Sequence, residues 1–111
     1  MRVEPWISQV RKGVVEYVVL LVLANGEAYG YELLQKLASV KQFALGESTI
    51  YPLLNRLAQD GFVSVRKVNS ENGPPRRYYR LTASGRERLD AMHVCWKEMS
   101  ESIEEMKGDK P

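Results

Sequence analysis

Between Gly46 and Leu81 the hydrophobic period switches from that of a helix to that of a strand, and this switch constrains the fold more than any other feature of the chain. In Ser48 to Asp60 the apolar residues Ile50, Leu53, Leu54 and Leu57 recur at i, i+3, i+4 and i+7, which predicts one buried helix face. The opposite face carries Thr49, Pro52, Asn55, Arg56 and Gln59, with Tyr51 at its flank and no acid before Asp60, and it is free to touch a partner. Pro52 is tolerable if Ser48 or Thr49 is the N-cap, since proline then falls in the first turn. Gly61 ends the helix and Phe62 to Val68 alternates like a half-buried strand. Asn69 to Pro75 is a turn cluster, and Arg76 to Leu81 alternates again. In that second strand Tyr79 and Leu81 share one face, and Arg76, Tyr78 and Arg80 share the other, exposed one.

Charge follows the same boundary. Residues 1–60 hold six basic and six acidic side chains, 61–81 hold five basic and one acidic, and 82–111 hold five and seven. A net charge of +2 therefore conceals a hairpin that is strongly positive and attracts a polyanion locally, although a solvated charged loop has the same composition. With 111 residues, 44% of them apolar, one domain with a real core is expected. The apolar run Val14 to Ala24 contains Glu16 and is about half the roughly 20 residues a membrane span needs. One cysteine and no visible signal peptide fit a reducing cytoplasm.

Residues 5–24 form the expected first helix, because the apolar pattern from Trp6, Ile7 and Val10 through Leu23 is too long for a strand despite its β-branched content. Asn25-Gly26 turns the chain, and Tyr29 to Ala38 makes a second helix with Tyr31, Leu34 and Leu37 as expected core. From Thr82, a good N-cap, a last helix carries Leu89, Met92, Trp96, Met99, Ile103 and Met106 at alternating spacings of three and four. Such a seam, flanked by Glu98, Glu101, Glu104 and Glu105, wants another helix: a symmetry mate, and the spare face of the first helix. The fold class is therefore mainly α with a small β-hairpin. Residues 1–81 are a winged helix-turn-helix whose first helix also meets the dimer interface, 82–107 a dimerisation helix, and 108–111 a frayed tail.

With these residues in hand the chain resembles the PadR-like family of bacterial transcriptional regulators. The matching segments are Arg11-Lys12-Gly13, Tyr29-Gly30-Tyr31-Glu32-Leu33, Thr49-Ile50-Tyr51-Pro52-Leu53, and the wing from Asn72-Gly73-Pro74-Pro75-Arg76-Arg77 through Tyr78-Tyr79-Arg80-Leu81-Thr82. The single short C-terminal helix is similar to the small subfamily that includes the lactococcal multidrug regulator. The resemblance implies a homodimeric winged-helix repressor whose recognition helices and wings bind a palindromic operator in double-stranded DNA; no cofactor is expected. In its multidrug-binding relatives a tryptophan matching Trp96 lines a dimer pore and stacks on flat aromatic ligands. On that reading Val10, Gly13 and Tyr17 lie opposite Trp96, with His93, Met99 and Ser100 nearby. The competing reading makes Trp96 a packing residue of the seam. Ser100 departs from a carboxylate that would favour cationic ligands.

The expected DNA contacts are Ser48, Thr49, Tyr51, Pro52, Asn55 and Arg56 on the recognition helix, and Lys67, Asn72, Gly73, Arg76 and Arg77 on the wing. Tyr29 is either a phosphate donor at the start of the second helix or a core residue. An ordinary solvated helix face is the bland alternative for the first set. A winged helix that binds protein instead of DNA is the alternative for the whole chain. Catalysis and metal binding have little footing. His93 and Cys95 are single, point about 200° apart on one helix, and cannot make a Cys-His pair or close a zinc site.

Overall fold

The structure, a computed structural model, describes residues 3–108; residues 109–111 of the expected tail lie outside the described residues. The first helix, α1, spans Glu4–Ala24 with Pro5 in its opening turn, where a missing amide costs nothing. Its C-terminal half buries Val19, Leu20 and Leu23, whereas Trp6 near the other end is 65% exposed. Gly26, at φ 139°, then turns the chain into a two-residue strand, β1 (Ala28–Tyr29), that local sequence does not announce.

The second helix, α2 (Gly30–Ala38), is capped when the Tyr29 amide donates to Glu32 Oε1 at 3.0 Å. Its buried face is Gly30, Leu33, Leu34 and Leu37, a stricter helical repeat than the expected one. Tyr31 is therefore a correction: one position off that face, it is 55% exposed. A short 3₁₀ turn (Lys41–Phe43) leads to α3 (Glu47–Gln59), where Ile50, Leu53, Leu54 and Leu57 are all buried as the periodicity requires. The helix starts earlier than expected, because Gly46 is its extended N-cap and accepts from the amides of Thr49 and Ile50. Pro52 consequently sits beyond the first turn, and the carbonyl of Ser48 loses its usual helical donor.

Gly61, at φ 83°, releases the chain from α3 into β2 (Val63–Ser70), which pairs antiparallel with β3 (Gly73–Leu81). The order β1-β3-β2 makes β3 central at its base, with Ala28 and Val65 flanking Tyr79. The wing is longer and its turn tighter than the turn cluster suggests. Only Glu71 and Asn72 lie outside the strands, and the prolines belong to β3. A register irregularity between Val68 and Ser70 falls opposite Pro74 and Pro75, so the two residues that cannot donate occupy a bulge.

The last helix, α4, spans Ala83–Met106, and the Thr82 hydroxyl accepts from the Gly85 amide at 3.0 Å as its N-cap. The expected seam divides. Leu89 belongs to the protomer's own core and Met92, half-buried, packs against it. Met99, Ile103 and Met106 are 55%, 55% and 79% exposed. With this half of α4 standing clear, the Cα radius of gyration is 16.5 Å, against about 13 Å for a compact chain of this length.

Candidate nucleic-acid interface

A groove of about 670 Å³ separates the wing from the helical layer, and α3, the start of α2 and β3 all contribute to its walls. It is built around a close approach. A Cβ on Gly30 would stand 2.5 Å from Tyr51 Cε1, so any larger residue at the start of α2 would push the recognition-helix ring out of its present place. Burial pushes the Tyr51 phenol above its ordinary range and the nearby Glu47 carboxylate adds to this, so Tyr51 keeps its proton and is a hydrogen-bond donor at neutral pH.

Above it, the exposed face of the sheet carries an aromatic and cationic ladder. Arg76 lies over the Tyr29 ring at 4.7 Å, Tyr29 meets Tyr78 edge-on at 5.4 Å, and Arg66 lies over Tyr78 at 4.9 Å. Cross-strand pairing explains the order, since Tyr78 stands opposite both Tyr29 and Arg66. Arg66 is tied in turn by a two-pronged pair to Glu27 at 2.7 and 3.1 Å. That guanidinium holds the Glu27 carboxyl below its usual range, so the clamp is complete at neutral pH and is lost only as pH falls through the depressed value. Arg66 is therefore structural, and Arg76 is held flat against the base of the wing with its edge donors free to turn outward.

On the other face of the hairpin Lys67 and Arg77 stand directly opposite each other. Like charges in that relation repel, and nothing acidic is bonded to either among the described residues. Of the expected contacts, the groove gathers Tyr29, Tyr51, Asn55, Asn72, Gly73, Arg76 and Arg77. Ser48, Thr49 and Pro52 lie exposed on the first turns of α3, outside the groove. Arg56 stands apart: it leans over the opposite flank of α3 and donates to Glu16 Oε1 of α1 at 3.3 Å. Tyr31 was not expected in this set, yet it lines the groove. Its one signal is the tyrosine-flanked glycine at 29–31.

A second groove, of about 530 Å³, runs between α1 and α4 and brings Gly13, Tyr17, Trp96 and Met99 together. The Tyr17 and Trp96 rings are tilted at 39° with centroids 6.2 Å apart, and the Tyr17 hydroxyl is hydrogen-bonded to His93 Nδ1 at 2.9 Å. Val10, His93 and Ser100 do not line it, His93 reaching it only through its bond to Tyr17. Val14, Phe62, Arg88, Ala91 and Cys95 do. Arg88, Ala91 and Cys95 follow a stripe of α4 beside the heptad seam, where the spacing of the seam alone gives no reason to look.

Three helices with an exposed third-helix face, joined to a basic two-stranded wing, define a winged helix-turn-helix protein. The chain belongs to the transcriptional regulator PadR-like family, whose model matches residues 19–91. It is similar to a PadR-like transcription factor of Bacteroides fragilis, 40% identical, with a TM-score of 0.79 over 89% of this chain and 95% of that one. A PadR family regulator from Eggerthella lenta is 28% identical with a TM-score of 0.84, covering 97% of this chain and 94% of its own. The negative transcriptional regulator PadR of Bacillus subtilis is 28% identical over 83% of this chain, which spans 52% of that protein. The protein is thus a transcriptional regulator of a family of non-enzymatic DNA-binding regulators. Among the described residues no helix is long and apolar enough to cross a membrane.

Proposed function

We propose that the chain is a homodimeric repressor that reads a palindromic operator with α3 and the wing, and that a planar aromatic effector in the α1–α4 groove releases it. The observation that carries the DNA reading is the unpaired juxtaposition of Lys67 and Arg77 on the wing, with Arg77 in the groove that Asn55 of α3 also lines. Such repulsion is relieved by a polyanion and by little else on this surface. The name of the Bacillus subtilis relative supports repression as the sign of regulation. The exposed apolar half of α4 supports a dimer in which residues 82–107, with α1, join two DNA-reading units of residues 1–81. A two-fold pair of recognition helices sets two half-sites one DNA turn apart, about 34 Å.

A gel shift on the DNA upstream of its own gene, repeated over a salt series, tests the reading, because a complex resting on several Lys and Arg contacts weakens steeply with salt. Arg76→Ala should weaken all sequences alike and lower the salt slope by about one. Asn55→Ala should relax discrimination at particular bases by roughly 1–3 kcal/mol, the scale of a two-bond base contact. Equal loss of specificity in both would end this division of labour. A protein that docks on another protein would show no retarded band at any salt.

The effector reading is tested on Trp96. In a Trp6→Phe background a planar aromatic ligand should quench its emission and loosen the operator complex together, and Trp96→Ala should remove both effects. Unchanged emission at millimolar ligand would leave Trp96 a packing residue.

A further inference from the structure

Glu16 is the one acidic residue in the hydrophobic stretch of α1, and each of its carboxylate oxygens is committed to a guanidinium on a different helix. Oε1 accepts from Arg56 of the recognition helix at 3.3 Å, and Oε2 accepts from Arg88 Nε of α4. The Glu16 side chain is 15% exposed, against 59% for Arg56 and 42% for Arg88, so the carboxylate is the enclosed hub and the arginines are its movable arms. Arg88 also walls the α1–α4 groove, with its guanidinium over the Phe62 ring at 4.7 Å.

We propose that Glu16 relays occupancy of the α1–α4 groove to the recognition helix. An occupant that displaces Arg88 from Phe62 changes how much of the Glu16 charge Arg88 neutralises. The remaining charge falls to Arg56, which is drawn toward α1 or let go toward solvent at the flank of α3. A ligand can shift DNA affinity only through contacts that differ between two arrangements, and this two-armed carboxylate supplies such a pair of arrangements within one protomer. The proposal rests on the reading of α3 as the DNA-reading helix and of the groove as a ligand site.

Cys95 is the only cysteine of the chain and lines that groove, so alkylation with monobromobimane places a known bicyclic occupant there. Operator affinity is measured for labelled and unlabelled protein, with assembly followed by light scattering. The label should change wild-type affinity at least about fivefold, the lower end of ordinary coupling between sites. In Glu16→Gln, and separately in Arg88→Gln, the ratio of labelled to unlabelled affinity should fall to within about twofold of unity, while the melting temperature and bimane quenching by Trp96 persist. Ala91→Trp fills the same groove genetically and repeats the comparison without a label. A ratio in Glu16→Gln equal to that of wild type overturns the relay alone. A wild-type dimer whose affinity ignores both occupants overturns the groove reading and the relay with it, and absence of operator binding by the unlabelled wild type overturns the DNA reading.

Discussion

Placing glutamates at both Met99 and Ile103 should leave a monomer that has lost most of its operator affinity. The two side chains are each 55% exposed on the free half of α4, so the charges cost the lone protomer little. A two-fold seam brings each substituted face against its own copy, which confronts like charges and removes them from water. Two half-sites bound through one linked dimer exceed either alone by a factor on the order of 10²–10⁴. Loss of the seam should therefore cost about that factor in operator affinity, with the melting curve of the winged domain unmoved. Light scattering and a titration on the operator check both parts. A dimer that persists and binds DNA as wild type would show that the last helix is not what joins the protomers.

Gly85→Ala should be the most damaging single methyl group in the chain. Inside a helix alanine is ordinarily better than glycine by roughly 0.5–1 kcal/mol. Here a Cβ would meet the Phe62 carbonyl oxygen at 2.0 Å, and the obstacle is backbone that cannot swing aside. That backbone is itself anchored, because the Thr82 amide donates to Phe62 O at 3.2 Å and the Thr82 hydroxyl donates to Gly61 O at 2.7 Å. The start of α4 is thus bolted to the turn after α3. Forcing it off should cost on the order of 3 kcal/mol, the upper end for overpacking, and lower the melting temperature by about 10–20 °C. Thr82→Ala, which removes both the cap on Gly85 and the hydroxyl bond to Gly61 O, should cost about 1–2 kcal/mol. A melting temperature for Gly85→Ala at or above wild type would mean that the helix start slides freely.

Much of this was legible in residue order, and the remainder divides by range. The buried face of α3 and the Thr82 cap are local matters, and both stand where the spacing puts them. What residue order hides is pairing across distance. The strand at Ala28–Tyr29 exists because Tyr78 and Tyr79, some fifty positions on, offer it an edge. Tyr31 leaves the core because Gly30, pressed against Tyr51, sets the phase of α2. The prolines of the wing read as a loop, and are strand only because a bulge takes up their missing amides. At the grooves, the tyrosines and basic residues of the wing were visible as residue types. The engagements of Arg66 with Glu27 and of Arg56 with Glu16 were not, since each joins elements about forty residues apart.

The free half of α4 has a consequence in time and abundance. Beyond Met99 the helix turns are held by little other than their own backbone bonds, and isolated helices shorter than about 12–15 residues are marginal in water. In a lone protomer these turns should open and close readily, so their amide hydrogens should exchange early and slow down as protein concentration rises, while those of α3 ignore dilution. With the proposed dimer, the copy number of the regulator would decide how long its last two turns persist as helix, and a cell poor in the protein would hold chains whose reading heads are folded before their handles are.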